Sequence, residues 1–270
     1  MLNRVKEVNM KLDELQKIVK IKWNKFYIFR QGNTWIDGVD FEVTPDEFLD
    51  FAKQDYKSKD KKGLVGTVTN SKRAIDCQID WIISYLGYDY LSFNEEKYLD
   101  IINVINDFEE DEKLNRDYSF KLRFIQALEI APTSFISQIR KIRNKLEHEY
   151  ILPSHEKAKE TIEIAELFIN ATQNILFNKF ITRYYIQNEY DSEDKFIKKP
   201  CYRIDFNPLK SEIEISCIPE SGEDIEVKLK SSDKEFVYFL KAGICRNFHY
   251  LIKAFGYDID KKYINFEIKG

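Results

Sequence analysis

The sequence predicts a mainly α-helical protein in which a helical bundle is followed by a small α+β domain. Glycine and proline are scarce, at 9 and 6 among 270 residues, and this favours long uninterrupted helices. Between residues 64 and 185, apolar side chains recur at steps of three and four, the period of amphipathic helices. Beyond residue 200 the period falls to two, which is typical of strands with one buried face.

Residues 1–63 are predicted to form an N-terminal helical extension. Apolar positions over residues 2–20 follow the helical period. A second helix is predicted from Thr44, because a threonine cap, a proline and two acidic residues follow one another there. The stretch between these two helices, around residues 22–43, is aromatic and irregular.

A sequential helical bundle is predicted for residues 64–187, because its helices are joined by short connections. The predicted helices run from the cap cluster Thr69–Ser71 to Gly87, from about Asn94 to Phe108, from Tyr118 to Ile130, from Thr133 or Ser134 to Tyr150, and from Ser154 to about Tyr185. Pro132 stops the third of these helices, and Pro153 stands directly before the last one.

The polar run over residues 188–199 is predicted to be a linker, and residues 200–270 to form a small domain of order β-β-β-α-β. Its strands are predicted from alternating apolar residues around 202–206, 213–217, 225–229 and 264–268, with a helix from Asp233 to about Phe255 before the last strand. We interpret this acidic domain as a protein-interaction or dimer-supporting module.

Charge and cysteine content restrict the classes of function. The net charge of −4 gives the chain no overall basic surplus, so any contact with RNA phosphates is expected on a local patch. Four cysteines without a CxxC pair are typical of reduced thiols, and no signal peptide or apolar membrane span is recognised. A cytoplasmic protein is therefore expected. The sequence contains no P-loop, dinucleotide-binding or HExxH motif.

The helix predicted over residues 133–150 has two distinct faces. At about 100° per residue, its apolar residues fall within one quarter of the circumference and predict the face that packs against the bundle. The opposite arc carries five hydrogen-bonding side chains, which follow in the angular order Arg143, Glu147, Arg140, Asn144 and His148. This placement predicts an exposed His148 on a surface that the core of the domain does not need.

The stretch Arg143-Asn144-Lys145-Leu146-Glu147-His148 resembles the R-polar-x3-H motif of the HEPN superfamily. Its position is also similar, near the end of a helix that comes late in a helical bundle. The stretch from Ser71 to Asp80 further resembles the opening helix of bacterial HEPN-like proteins of unassigned role. The resemblance covers about residues 64–185.

The resemblance implies a metal-independent endoribonuclease without a cofactor, which acts on RNA as a homodimer. Arg143, Asn144 and His148 would then be the catalytic residues, because histidine can transfer protons near neutral pH and a guanidinium can stabilise a charged phosphate. Arg140, Glu147 and Asp76 are supporting candidates. A toxin or phage-defence role is expected by analogy with the family, with an antitoxin or regulatory protein as a further partner.

Two other interpretations of these residues stay open. Arg143 and Glu147 are four residues apart and could form an ordinary surface ion pair, in a catalytically silent HEPN-like module that dimerises or binds RNA. Asp76 shares an arc with Arg73 and Asp80, and an intrahelical ion pair is the alternative to a carboxylate near His148.

Cys245 and His249 have the spacing of two metal ligands, but too few partners are nearby for a zinc site.

Overall fold

The computed structural model describes residues 5–7, 10–31, 41–114, 116–131, 136–191 and 197–269. Helices and strands alternate unevenly along this part of the chain. In chain order the elements are β1 (Val5–Glu7), α1 (Leu12–Val19), β2 (Phe26–Arg30), α2 (Pro45–Ser58), α3 (Lys61–Tyr85), α4 (Leu99–Glu112), α5 (Phe120–Ala127), α6 (Ile136–His148), α7 (His155–Asn174), β3 (Arg183–Gln187), β4 (Cys201–Asn207), β5 (Glu212–Ile218), β6 (Asp224–Lys230), α8 (Lys234–Cys245), α9 (His249–Ala254) and β7 (Phe266–Lys269).

The described strands form one mixed sheet of seven, in the order β1-β6-β5-β4-β3-β2-β7. The run from β2 through β3, β4 and β5 to β6 is antiparallel, and the two outer strands are added in parallel. Both outer pairings join distant parts of the sequence, since Val5 lies opposite Asp224 and Phe26 lies opposite Phe266. The sheet therefore includes both ends of the described chain, one at each edge.

Four helices, α2, α3, α6 and α7, pack side by side, with α3 in contact with the other three. The sequence determines where two of them begin. The hydroxyl of Thr44 accepts a hydrogen bond from the Glu47 amide, and the Glu47 carboxylate accepts one from the Thr44 amide, which forms a capping box. Asp60 caps α3 by accepting from the Gly63 amide at 2.7 Å.

The helices and the sheet share one hydrophobic core. The Tyr88 ring, which follows α3, lies edge-on to Phe236 of α8 at 5.8 Å between centroids. Phe108 of α4 contacts Tyr238 of α8 in the same way at 5.6 Å. The α1 helix also packs against the sheet, where the Tyr202 hydroxyl donates to Gln16 at 3.2 Å.

The predicted fold class, a mainly α-helical bundle with an N-terminal helical extension and a small α+β domain, is wrong. The protein has an α+β fold, because a seven-stranded sheet shares its core with the helices. Three strands of this sheet, β1, β2 and β3, lie outside the segment predicted to be the small domain. The boundaries predicted at residues 63, 187 and 200 remain predictions, although residues from all three segments meet in one sheet and one core.

Four local predictions are corrected by the structure. The helix expected to begin at the cap cluster Thr69–Ser71 begins eight residues earlier, at Lys61, because Asp60 is its cap. The helix expected over residues 2–20 is limited to α1, and β1 precedes it. The helix expected to reach Tyr185 ends at Asn174, followed by a π-helical turn (Ile175–Lys179) and then β3. The helix expected from Asp233 to Phe255 is divided into α8 and α9 at Arg246, which has a φ of 56°. The cap expected at Thr133 or Ser134 lies outside the described residues.

Candidate functional site

The candidate site lies on α6, which is held in place by its apolar face. Ile136 and Ile139 are buried in the main core. Further along the helix, Ile142 and Leu146 pack against a small cluster of Leu64, Val68 and Ala158. The end of α6 that carries the motif therefore lies against the beginning of α3 and α7, and its opposite arc faces solvent.

The motif residues occupy two flanks of this exposed arc. Arg143 lies on one flank, where its Nη2 is 2.6 Å from Oε2 of Glu147, and both side chains are just over one third exposed. His148 is five residues further on, which turns it about 140° around the helix from Arg143. Asn144 is one turn before His148 and lies on the same flank, and both residues are exposed. Within one chain, Arg143 and His148 thus point in different directions.

Positive charge is concentrated on this short segment. Arg140, Lys141, Arg143 and Lys145 all lie within six residues, in a chain whose net charge is −4. Among the described residues, Lys141, Lys145 and His148 have no ion-pair or hydrogen-bond partner for their side chains. These groups are therefore available to bind an anion.

A cavity of about 500 Å³ adjoins the flank that carries Asn144 and His148. Asn144 lines it directly. The other lining residues are Lys141, Ile142, Lys145, Glu149, Ile151, Leu152, Pro153, Ser154 and Lys157. The cavity thus combines aliphatic walls with three lysines, and it lies between the end of α6, the following loop and the first turn of α7.

The loop after α6 exposes apolar side chains to solvent. Tyr150 is 87% exposed and Ile151 is 51% exposed, and Leu152 follows at 38%. Large apolar groups in consecutive positions are uncommon on a surface that stays in water, and they often mark an interface. They lie directly after His148 in the sequence.

The structure separates Asp76 from the motif. Asp76 forms an ion pair with Lys72 on its own helix α3 and lines a second cavity together with Phe41, Arg73 and Tyr90. Leu64, which packs near Leu146 of α6, is twelve residues before Asp76, or about 18 Å along the helix axis. Asp76 therefore takes the intrahelical pair of the alternative interpretation, although its partner is Lys72 and not Arg73.

Arg140 remains near the motif, and Glu147 is the partner of Arg143. Three lysines at the site are functional candidates that no sequence motif indicates, namely Lys141, Lys145 and Lys157. Their charge was visible in the sequence. The sequence does not show that the three lysines line one cavity, because the cavity depends on how the loop Ile151–Ser154 returns toward α6.

The Cys245 and His249 side chains are engaged separately. The thiol of Cys245 donates to the carbonyl of Leu128 at 3.4 Å, and burial raises its pKa to about 12. His249 pairs through Nδ1 with the side-chain oxygen of Asn247, and burial lowers its pKa. Across the described ranges, no group of three His, Cys, Asp or Glu side chains is arranged to hold a metal ion. None of the described helices is long and apolar enough to span a membrane.

Comparisons of the chain with protein-family models, with curated proteins and with solved structures found no match.

Proposed function

We propose that this protein is a metal-independent endoribonuclease of the HEPN type, which acts as a homodimer in the cytoplasm. The observation that carries the proposal is the exposed flank of α6. There, His148 and Asn144 lie beside Lys141 and Lys145. A proton-transfer group, an amide and two cations thus face solvent on one short stretch of helix.

The residue types fit cleavage of RNA by its own 2′-hydroxyl. Such a reaction needs a base that removes the hydroxyl proton and an acid that protonates the leaving oxygen. It also needs positive charge where the phosphate oxygens gain charge in the transition state. His148 supplies proton transfer, and Arg143 with the neighbouring lysines supplies positive charge.

The need for both a base and an acid supports a dimer. The motif contains one histidine per chain, so a second copy would supply the second proton-transfer group. The exposed Tyr150 supports an interface next to the motif, because association would remove this large side chain from water. A dimer built there would bring the two copies of His148 toward each other.

The ion pair of Arg143 with Glu147 is compatible with this role. Both groups are partly exposed, and an i,i+4 pair of this kind is worth only a few tenths of a kcal/mol. An RNA phosphate that binds Arg143 through two hydrogen bonds would displace the carboxylate at small cost. Glu147 would then hold the guanidinium ready in the absence of substrate.

The biological setting follows from the family resemblance. Ribonucleases with this motif serve as toxins or in defence against phage, and we propose such a role here. An antitoxin or regulatory protein that covers the motif would be its partner. The supporting argument is analogy of motif alone.

A second candidate function is a catalytically silent module that dimerises or binds RNA. The Arg143–Glu147 pair favours it, because a guanidinium that stays with a carboxylate on the surface does not stabilise a phosphate. The separation of Arg143 and His148 around α6 favours it too, unless two chains combine. Catalysis and dimerisation therefore have to be tested together.

The test is cleavage of total cellular RNA by the purified protein in EDTA, with His148→Ala and His155→Ala compared with the wild type. His155 is a matched control, because it is also exposed and begins the neighbouring helix α7. We expect the wild type and His155→Ala to cleave and His148→Ala to be inactive. Equal cleavage by all three proteins would refute the role of His148.

The dimeric mechanism is tested by dilution with inactive subunits. Wild-type protein is mixed with an excess of His148→Ala protein and left to exchange subunits. If two copies of His148 are needed, activity per wild-type chain falls toward zero as mixed dimers form. Constant activity per wild-type chain would show that each chain works alone.

A further inference from the structure

We propose that the cavity beside α6, named here the α6–α7 cavity, binds one unpaired nucleotide of the RNA next to the phosphate that is cut. The cavity is lined by Lys141, Asn144, Lys145 and the loop Ile151–Ser154. This inference rests on the proposed function, since it assumes that RNA is the substrate of the motif. The cavity would then be the part of the protein that makes it bind single-stranded RNA more tightly than double-stranded RNA.

The size and the walls of the cavity fit a nucleotide. Its volume of about 500 Å³ lies in the range that small-molecule sites occupy. Ile142, Ile151, Leu152 and Pro153 provide an apolar surface for the faces of a base. The side chains of Asn144 and Glu149 also line the cavity and can form hydrogen bonds with the edge of the base.

The charge of the cavity is complementary to a phosphodiester. Lys141 and Lys145 have no partner among the described residues, whereas Lys157 also lines the cavity but is paired with Glu160. The cavity also opens toward the first turn of α7, a helix of 20 residues whose N-terminus is capped by Ser154. Amide groups at a helix N-terminus favour an anion, and they add to the lysine charge here.

The position of the cavity connects it to the motif. Asn144 belongs to both, and His148 lies one turn further along the same flank of α6. A base held in the cavity would therefore place the adjoining phosphate near His148. In a duplex, bases are stacked and paired and cannot enter such a cavity, so the bound nucleotide has to be unpaired.

The test measures binding without cleavage. The probe is a fluorescently labelled 2′-O-methyl RNA oligonucleotide, which cannot be cut because the attacking hydroxyl is blocked. Its affinity is measured by anisotropy for the wild type and for Lys141→Glu and Leu152→Glu. Two matched controls make the same changes on α7 away from the cavity, namely Lys159→Glu and the exposed Leu167→Glu.

We expect binding to weaken about tenfold or more in both cavity variants and to stay within about twofold in both controls. Binding of the same sequence as a duplex should be weaker than binding of the single strand. Unchanged affinity in both cavity variants, or equal affinity for the duplex, would overturn the assignment.

The molecular mass of each variant in solution is determined in parallel. If both cavity variants lose RNA binding only because they no longer dimerise, the cavity receives the second copy and the proposal fails. If the wild type binds the probe but cleaves no RNA, the proposed ribonuclease function is wrong, while the cavity remains a binding site for an unpaired nucleotide. If the wild type cleaves RNA and the KM is unchanged in both cavity variants, the cavity is not that binding site and the ribonuclease function stands.

Discussion

At the scale of single residues, the most unusual group is a lysine enclosed by the core. Lys241 of α8 is completely buried, and its Nζ donates to Glu112 at 2.6 Å, to Glu129 at 2.7 Å and to the carbonyl of Ala127 at 2.6 Å. The Tyr250 hydroxyl also donates to Glu112, at 3.0 Å. All three ammonium protons are thus satisfied, and the lysine joins α4 and the end of α5 to α8.

Replacing Lys241 with methionine should destabilise the protein strongly. The variant keeps most of the side-chain volume but leaves the mostly buried carboxylate of Glu112 and the carbonyl of Ala127 without their donor, a change that costs about 2–3 kcal/mol. The free energy of unfolding, measured by urea denaturation, tests this. Lys234→Met on the exposed first turn of α8 is the control and should change little. Equal stability of both variants would show that Lys241 does not stabilise the core.

At the scale of secondary-structure elements, the close packing of α8 depends on Gly243. A Cβ at this position would lie 2.7 Å from the carbonyl oxygen of Ile181 and 2.8 Å from the ring of Phe180. The amide of Ile181 donates to the carbonyl of Gly243 at 3.1 Å, so the backbone cannot withdraw without losing this bond. The short approach positions α8 against the segment that leads into β3.

Gly243→Ala should therefore destabilise the protein by about 1–3 kcal/mol through overpacking. In an unconstrained helix the same substitution would stabilise by about 1 kcal/mol, so the sign of the change distinguishes the two cases. Thermal unfolding measures it. Lys234→Ala on the same helix is the control, and a higher Tm for Gly243→Ala would contradict the predicted clash.

The sequence predicts those elements whose pattern is local. Strands β4, β5 and β6 are signalled by their own alternation, and the two faces of α6 by its helical period. Strand β3 was missed because apolar residues continue past the end of α7, and periodicity alone does not show where such a helix stops. The membership of β1 and β2 in the sheet depends on partners far away in the sequence, Asp224 and Phe266 among them.

The same limit applies to the candidate site. The exposed arc with Asn144 and His148 follows from spacing along one helix. The α6–α7 cavity does not, because two helices and a loop have to meet to form it. The sequence also does not show that Asp76 pairs with Lys72. Lys72 and Arg73 stand four and three residues before Asp76, and both spacings allow an ion pair on a helix.

At the scale of the whole molecule, helices and sheet should unfold together. Their buried side chains form one cluster that extends from α1 through the helices to α9. We expect a single transition for the full chain, with the same midpoint by circular dichroism and by tryptophan fluorescence. Residues 64–187 expressed alone should not unfold cooperatively, because the sheet that covers them is missing. A cooperative transition of this fragment would show that the helices fold independently.

We propose that this molecule cleaves RNA through the substrate's own 2′-hydroxyl, with His148 transferring protons and no metal involved. The most direct measurement is the chemical nature of the ends that the purified protein leaves on an RNA oligonucleotide in EDTA. We predict 2′,3′-cyclic phosphate ends, and no cleavage of the same oligonucleotide with 2′-O-methyl groups throughout. Cleavage of the methylated oligonucleotide, cleavage that stops in EDTA, or an intact RNA substrate after prolonged incubation with the folded protein would contradict this proposal.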